Sequence, residues 1–295
     1  MRLNQDQLCE LSKLAIQAAK EAGQLIQSYT GKALTHEFKL GASSKASEIF
    51  TEVDLKAEKI IIETLKPSLE KFDLALLAEE STDDGQRHIK DAFWCIDPLD
   101  GTLPFTEGIH GYSVSIALVA KDGSPLIGVI YDPVKDDLYH AIKEQGIFKN
   151  QLPWKLTNES SESTFYFMCD RSFYENKNFA TAKKFIHSLS EKLGCNKLKI
   201  LHQGGGAMNA VLTLSHKHAC YFKLPKVSLG GGSLWDFAAS ANLFQEAQKP
   251  ASNIHGNKLD LNRTDSTFMN HEGVLYASSE EISQAIQSFH KKDFK

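Results

Sequence analysis

Five acidic residues of this sequence stand where they could act together: Glu79, Glu80, Asp97, Asp100 and Asp236. The first four follow two apolar runs, and Asp236 comes shortly after a run of glycines. Runs 74–78 and 93–96 have the apolar content of buried strands, which deliver the residues that follow them to one edge of a sheet. Carboxylates gathered there repel one another unless a hard divalent cation neutralises them. Mg²⁺ binds a few carboxylate oxygens together with water and substrate phosphate. The pattern therefore predicts a Mg²⁺ site suited to phosphoryl transfer.

Each of these signals also has a simpler explanation when it is taken alone. The run DPLDG at 97–101 fits a surface turn. The acidic pair at 79–80 fits a solvated strand end, and Asp236 fits a charge at a helix start. The order of the signals along the chain favours a site over these alternatives.

The spacing of apolar residues predicts the elements that must position the carboxylates. In the first half it predicts a helix over 8–26 that stops at Gly31, a loop or flexible hairpin over 34–50, a helix over 51–65 capped by Thr51 and ended by Pro67, strands over 74–78 and 93–96, and a meander over 112–120, 126–131 and 137–142. In the second half it predicts strands over 164–169, 198–202 and 218–224 and helices over 177–193, 207–215 and 233–247. The polar stretch 157–163 is predicted to link the halves.

Composition bounds the class of protein. The chain has 295 residues, 42% of them apolar, which predicts a large core and roughly two domains. A net charge of −4 argues against a general nucleic-acid binder. Five dispersed cysteines without a CxxC pair indicate neither a disulfide framework nor a zinc ribbon. With no run apolar enough for a membrane span and no signal-peptide pattern at the start, the cytoplasm is the expected location.

Three segments taken in order resemble the inositol monophosphatase superfamily. They are LAEES at 77–81, WCIDPLDGT at 94–102 and LWDFAA at 234–239, preceded by TEVD at 51–54 and Glu58. This superfamily comprises lithium-sensitive, Mg²⁺-dependent phosphatases, and the resemblance extends over about residues 10–280. It implies a mixed α/β (α+β) fold, a layered αβαβα sandwich of the sugar-phosphatase type. Halves 1–156 and 157–295 would then flank the active site.

The resemblance also implies a role for each matching residue. Glu79, Asp97 and the carbonyl of Leu99 resemble the ligands of one Mg²⁺, and Asp97, Asp100 and Asp236 resemble those of a second. Asp54, Glu79 and Thr102 resemble the catalytic group that orients the attacking water. The implied substrate contacts are Asp100, Gly101, Thr102, Gly206, Ala207, Lys223 and Asp236. Two or three Mg²⁺ ions are expected, with Mn²⁺ able to substitute and Li⁺ and Ca²⁺ inhibitory. The implied partner is a small phosphorylated metabolite, and family members are often homodimers.

The sequence leaves the substrate open. In inositol phosphatases an acidic residue before the Trp-Asp motif bonds sugar-like hydroxyls, whereas Lys223 takes that place here. A cation there suits a second anionic group, and an exposed strand lysine is the simpler alternative. Inositol monophosphate and 3'-phosphoadenosine 5'-phosphate both stay candidates. Lys39 or Lys45 could close over the site or be plain solvated loop residues.

Two other classes of function stay open beside these substrates. One is a catalytically silent, metal-binding regulatory protein on the same fold. The other is a sugar-bisphosphatase, which is disfavoured because that group usually has Ser where this chain has Thr102.

Overall fold

Five layers of secondary structure make up the fold. The computed structural model describes residues 3–30, 36–38, 49–156 and 163–293, with only the backbone described at 36–38 and 49–51. In these ranges a helical layer, a seven-stranded sheet, a second helical layer, a five-stranded sheet and a third helical layer are stacked in that order. This is the predicted αβαβα sandwich.

The first helical layer consists of α1 (Gln5–Tyr29) and α2 (Glu52–Lys71). α1 starts with a capping box, in which the Gln7 N–H donates to Asn4 Oδ1 and the Asn4 N–H donates to Gln7 Oε1, both at 2.9 Å. Gly23 lets the Tyr131 ring, from the seven-stranded sheet, approach α1, because a Cβ on Gly23 would lie 2.5 Å from Tyr131 Cδ1. Before α2, β1 (His36–Phe38) pairs antiparallel with β2 (Ile49–Thr51), as a hairpin would.

The predicted end of α2 at Pro67 is wrong, since the helix continues to Lys71 with Pro67 inside it. Pro67 cannot donate to the carbonyl one turn back, which normally ends a helix. Tertiary contacts in the next turn offset that loss. Ser68 is buried and its Oγ donates to the Leu65 carbonyl at 2.5 Å, while the Trp94 indole donates to Ser68 Oγ at 2.9 Å. The predicted cap, Thr51, directly precedes α2, but its side chain lies outside the described residues.

The seven-stranded sheet has its strands in chain order: β3 (Ala75–Ala78), β4 (Ala92–Asp100), β5 (Ser113–Ala120), β6 (Pro125–Asp132), β7 (Asp137–Ile142), β8 (Gly146–Lys149) and β9 (Leu152–Pro153). β3 and β4 are parallel, and every later pair is antiparallel. A 3₁₀ turn (Gln86–His88) leads into β4, and α3 (Thr102–Thr106) follows it. The strands after β7 extend the meander further than the sequence predicted.

The five-stranded sheet has the order β11-β10-β12-β14-β13. Its strands are β10 (Thr164–Met168), β11 (Lys197–Leu201), β12 (Ala219–Lys223), β13 (Ala251–Ser252) and β14 (Val274–Ala277). β10 runs parallel to both β11 and β12, so their carboxyl ends lie at one edge. A short helix, α4 (Arg171–Tyr174), begins just beyond that edge.

The other two helical layers cover the faces of this second sheet. α6 (Gly206–Leu214) and α7 (Leu234–Glu246) lie between the sheets, and α5 (Phe179–Lys192) and α8 (Glu280–Asp293) cover the outer face. A buried apolar core joins both sheets through the middle layer, with Phe93 from one side and Tyr221 from the other. The elements after residue 250 were not predicted.

The remaining expectations concern cysteines and membranes. All five cysteines lie in the described ranges and are not in disulfides, and Cys9 is partly exposed while the other four are buried. Among the described residues, every helix is too short or too polar to cross a membrane. The predicted linker falls largely on 157–162, outside the described residues.

Candidate active site

Three of the predicted carboxylates meet between the sheets. One carboxylate oxygen from each of Asp97, Asp100 and Asp236 lies within 4.8 Å of the other two. Asp97 is 1% exposed and Asp100 is 5% exposed, and Asp236 is partly buried. The first two come from β4 and the third from α7, so residues from both halves of the chain form the cluster.

An irregularity in β4 brings its two aspartates to the same place. Residues three apart in a regular strand point to opposite faces of the sheet. Asp97 pairs with Ser115 and Asp100 with Ser113, so β4 has one residue more than β5 between these pairs. A bulge of this kind reorients the strand and allows both carboxylates to face one point.

The start of α6 holds the Asp100 carboxylate in place. The Gly206 N–H donates to Asp100 Oδ1 and the Ala207 N–H donates to Oδ2, both at 2.8 Å. Amides and dipole at a helix N-terminus both favour a negative charge. Gly205 makes room for it, since a Cβ there would lie 2.5 Å from Asp100 Cγ. The predicted substrate contacts Gly206 and Ala207 therefore direct their N–H groups at Asp100.

A backbone bond fixes Asp236 in the first turn of α7. The Ser233 N–H donates to Asp236 Oδ2 at 2.6 Å. Gly232, directly before Ser233, has a φ of 95°, which lies in the region that favours glycine. The three-glycine run in the sequence thus ends in a turn that aims this carboxylate at β4.

The cluster holds more negative charge than its surroundings neutralise. Burial, and then the charge of Glu79, raise the pKa of Asp97 well above its usual value. Burial and the charge of Asp236 raise the pKa of Asp100 to about 8, even though the amides of Ala207 and Gly206 oppose the change. Carboxylate oxygens that converge without a counterion are the ligands that a hard divalent cation prefers. The donor set therefore fits the predicted metal.

Glu79 lies beside the aspartates on the neighbouring strand. Its N–H donates to the Ile96 carbonyl at 3.1 Å, which continues the parallel pairing of β3 with β4. The turn after it is held by Glu58, a buried residue of α2. The Glu58 carboxylate accepts bonds from the Glu80 N–H, at 2.7 Å, and from the Ser81 hydroxyl. Burial raises the pKa of Glu58.

The predicted hydroxyl–carboxylate pair is also close together. Thr102 Oγ1 lies 3.4 Å from Asp54 Oδ1 and 3.3 Å from the Leu99 carbonyl oxygen. Asp54 is buried on α2, and Leu99 is buried in β4. Gly101, with a φ of 92°, makes the sharp bend from β4 into α3. A Cβ on Gly101 would lie 3.1 Å from Tyr112 Cα, so this bend also depends on the missing side chain.

Lys223 lies beside the cluster and pairs with Asp170, a residue that the sequence prediction missed. Its Nζ is 2.7 Å from Asp170 Oδ2 and 5.2 Å from the centre of the Phe237 ring. The Tyr221 hydroxyl donates to Asp170 Oδ1 at 2.8 Å. Burial lowers the pKa of Lys223, but Asp170 and Asp236 outweigh it and hold that pKa above its usual value.

The signal that could have found Asp170 is present in the sequence. Asp170 comes after the apolar strand β10 with one residue between them, a position like that of Glu79, which follows β3 directly. Lys39 and Lys45, the lysines expected to approach the site, lie outside the described residues.

Comparisons with known proteins find relatives that match nearly the whole chain. The model of the inositol monophosphatase family matches residues 7–292. Inositol-1-monophosphatase of Bacillus subtilis is 31% identical over 283 residues, which is 94% of this chain and 95% of the relative. Human inositol monophosphatase 2 is 27% identical, with 95% and 91% covered. The Nus factor SuhB of Pasteurella multocida is 28% identical, with 79% and 81% covered.

The solved structure of the suppressor protein SuhB from Bartonella henselae has the same fold, with a TM-score of 0.72 at 23% identity and 95% and 98% of the two chains covered. Fold and site together define a class of layered α/β proteins with a cluster of carboxylates between the two sheets. Within that class, the chain belongs to the inositol monophosphatase family.

Proposed function

We propose that this protein is a Mg²⁺-dependent phosphomonoesterase that hydrolyses a small phosphorylated metabolite. The observation that carries the proposal is the buried cluster of Asp97, Asp100 and Asp236, whose oxygens converge within 4.8 Å. Family membership supports the same activity. The candidate substrates are those that the sequence left open, inositol monophosphate and 3'-phosphoadenosine 5'-phosphate.

The metal ligands in this proposal are the residues that the resemblance to the family implied. Glu79, Asp97 and the Leu99 carbonyl would hold one ion, and Asp97, Asp100 and Asp236 a second. When bound, the ions would lower the pKa of a coordinated water and stabilise charge on the phosphate. The two halves of the chain, 1–156 and 157–295, would each contribute ligands, since Asp97 and Asp100 lie in the first and Asp236 in the second.

The chain's own groups then orient the water and the ester. Thr102 Oγ1 has one proton and lies within reach of both Asp54 and the Leu99 carbonyl. If its proton goes to Asp54, a lone pair of Thr102 remains to accept a bond from the attacking water. Glu79 would accept the other bond from that water. The amides of Gly101 and Thr102 would donate to phosphate oxygens. Positioning of this kind provides much of the rate in phosphoryl transfer.

The proposal is tested by measuring phosphate release from three substrates, with Mg²⁺ and with EDTA. The panel is inositol 1-phosphate, 3'-phosphoadenosine 5'-phosphate and fructose 1,6-bisphosphate. EDTA-sensitive release that Asp236→Asn abolishes and Asp122→Asn retains would support the proposal. Asp122 is a matched control because its Oδ1 accepts a turn bond from Ser124 N–H at 2.9 Å, and an amide oxygen can do the same. Li⁺ and Ca²⁺ should inhibit, and Mn²⁺ should replace Mg²⁺.

A negative result would point to a different class of function. Absence of release from all three substrates, with Mg²⁺ still bound in a calorimetric titration, would contradict the proposed activity on these esters and favour a metal-binding regulatory protein. Release from fructose 1,6-bisphosphate alone would favour a sugar-bisphosphatase.

A further inference from the structure

We infer that a bridge of buried arginines between the two halves of the chain fixes Asp236 relative to the two aspartates of β4, and that Arg87 is its central positioning residue. The residues of this arginine bridge bond to one another across the halves: Asp83, Arg87, Asn262 and Arg263. This inference rests on the proposed function and deepens it, because it concerns how the two parts of the metal site are held together.

Arg87 lies in the first half, on the 3₁₀ turn that leads into β4, the strand of Asp97. Its side chain is only 3% exposed, and its Nε donates to Asp83 Oδ2 at 2.7 Å. Burial raises the pKa of Cys95, two residues before Asp97, while the charge of Arg87 lowers that pKa and the charge of Asp236 raises it. The guanidinium and the Asp236 carboxylate are therefore both within electrostatic reach of the same buried thiol of β4.

The same guanidinium reaches the second half of the chain. Arg87 Nη1 donates to Asn262 Oδ1 at 2.6 Å and to the Arg263 carbonyl at 2.8 Å. The buried Asn262 amide bonds back to the first half, since its Nδ2 donates to the Arg87 carbonyl at 3.2 Å and to the Lys121 carbonyl at 2.8 Å. Because each half donates to the other, neither can shift at this point without breaking bonds on both sides.

Arg263 extends the bridge to the turn that carries Asp236. Its Nη1 donates to the Phe268 carbonyl at 2.6 Å, and its Nε and Nη2 donate to the Asp265 carboxylate at 3.0 and 2.8 Å. Phe268 pairs antiparallel with Ser233, whose N–H is the donor to Asp236 Oδ2. The bonds of the bridge thus run from the 3₁₀ turn of the first half to the residue that holds the Asp236 carboxylate.

Backbone bonds on both sides of Ser233 tie the same two segments together. The Leu234 N–H donates to the Thr267 carbonyl and the Met269 N–H donates to the Gly232 carbonyl, both at 2.9 Å. A direct bond between the halves, from Ser115 Oγ to the Trp235 carbonyl at 3.0 Å, holds the first turn of α7. The arginine bridge acts on the segment before that turn, so Asp236 lies between two connections to the first half.

The geometry of a guanidinium suits this positioning role. It has five N–H donors in a rigid fork, so one side chain can bond to several groups at fixed angles, whereas a lysine has the charge without the fork. Mg²⁺ requires near-ideal octahedral geometry, with oxygens at about 2.0–2.1 Å. A small shift of Asp236 relative to β4 would therefore weaken Mg²⁺ binding, although Arg87 itself donates to none of the three aspartates of the cluster.

The first test measures amide hydrogen exchange in the metal-free protein, which needs neither metal nor turnover. Arg87→Lys keeps the charge and loses the fork. In this variant the amides of Leu234 and Met269 should exchange about tenfold faster than in the wild type, although the substitution lies in the other half. Asn262→Ala changes the bridge from the second half and removes no charge. It should speed exchange of the same amides, and it keeps the test valid if Arg87→Lys does not fold.

Ser278→Ala is the matched control, because it removes buried hydrogen bonds far from the bridge. Ser278 Oγ accepts from the Ala219 N–H at 2.9 Å and donates to the Lys217 carbonyl at 2.8 Å, at the amino end of β12. Thermal unfolding should show a loss of stability for this variant as well. The amides of Leu234 and Met269 should nevertheless exchange within about twofold of the wild-type rate.

The second test measures Mg²⁺ binding to the same proteins by calorimetry, without substrate. Arg87→Lys should raise the Kd for Mg²⁺ about tenfold, because Asp236 would no longer be held at its place beside β4. Ser278→Ala should leave that Kd within about twofold of the wild-type value. A loss of stability alone would affect both variants alike, so the difference between them reports on positioning.

Two results would overturn the inference. One is exchange at Leu234 and Met269 that stays as slow in Arg87→Lys and Asn262→Ala as in the wild type, which would mean that the halves are not coupled through the bridge. The other is faster exchange with an unchanged Kd for Mg²⁺, which would leave the bridge a structural role alone.

The proposed function is judged by a different result. A wild type that hydrolyses none of the three substrates would contradict that function, whereas faster exchange and weaker Mg²⁺ binding in Arg87→Lys would still support the inference. A wild type that does not bind Mg²⁺ would also contradict the function, and the exchange rates at Leu234 and Met269 would then decide by themselves whether Arg87 positions the segment of Asp236.

Discussion

Strands of both sheets end in carboxylates at the candidate site, but the two groups of carboxylates have different partners. At the end of β4, Asp97 and Asp100 converge with Asp236, and no cation among the described side chains bonds to them directly. At the end of β10, Asp170 bonds to Lys223 and to the Tyr221 hydroxyl. The pKa values show the consequence. Those of Asp97 and Asp100 are raised by burial and mutual repulsion, while that of Lys223 is held up by its neighbours.

Because of this difference, the two groups of carboxylates suit two different functions. A carboxylate cluster without a counterion needs a cation from solution, so it suits metal binding. A carboxylate already paired with an ammonium has its charge neutralised, so it suits recognition of a neutral polar group.

The largest effect is expected from Asp97→Asn. Loss of this central ligand should lower kcat with Mg²⁺ by roughly 10²–10³-fold or more, because the phosphate charge would lose its stabilisation. The metal-free variant should unfold at a higher temperature than the metal-free wild type, since one repelling charge is gone. Phosphate release and thermal unfolding measure the two effects. Wild-type kcat in this variant would remove Asp97 from the site.

A smaller loss is expected from Gly205→Ala, which touches the cluster without changing its charge. The new Cβ would lie 2.5 Å from Asp100 Cγ, so the carboxylate or α6 must shift. A displacement of this size should lower kcat by about 10–100-fold, and overpacking should cost about 1–3 kcal/mol of stability. Kinetics and urea unfolding measure both. Gly194→Ala is a control for backbone strain alone, since nothing lies within 4 Å of a Cβ there and its φ is +74°, whereas the φ of Gly205 is −65°. An equal loss of kcat in Gly194→Ala, which lacks the contact with Asp100, would contradict displacement of Asp100 as the cause.

The pH dependence of the metal-free protein should follow the raised pKa of Asp100. Its pKa in the folded state is about 8, against about 3.9 when unfolded. Between these values the folded state binds more protons than the unfolded state, so the free energy of unfolding should fall as pH rises. Mg²⁺ should stabilise the protein more at pH 8 than at pH 5, because it binds the ionised form.

Thermal unfolding from pH 5 to pH 8, with and without Mg²⁺, measures this dependence. Asp100→Asn should flatten the metal-free curve. A wild-type curve that rises with pH would contradict the assignment of uncompensated carboxylates to this cluster.

The smallest effect is expected from Asp170→Asn. Its effect on the stability of the metal-free protein should have the opposite sign to that of Asp97→Asn. Loss of the charge should lower stability by about 1–3 kcal/mol, because Lys223 would keep its charge without its partner. At this chain length such a loss lowers the melting temperature by several degrees. Thermal unfolding of both metal-free variants side by side tests the contrast. A shift in the same direction for both would mean that the two carboxylate groups do not differ as described.

Much of the architecture could be predicted from local pattern. The strand over 137–142 has the predicted bounds, and the helices over 177–193, 207–215 and 233–247 are each within two residues of theirs. Periodicity works for these elements because each buries one face whose spacing is visible in the sequence. It fails at Pro67, where contacts of Ser68 and Trp94 offset a broken hydrogen bond, since Trp94 comes from a different element.

The candidate site divides in the same way. Local sequence pattern is enough to show which carboxylates end strands or start helices, and the order of the motifs was enough to identify the family. What each charged side chain contacts depends on the tertiary structure: two amides at the start of α6 bond to Asp100, Glu58 holds the turn after Glu79, and Asp170 pairs with Lys223. Electrostatic energy depends on distance and burial, and both are properties of strands brought side by side, which no stretch of sequence contains.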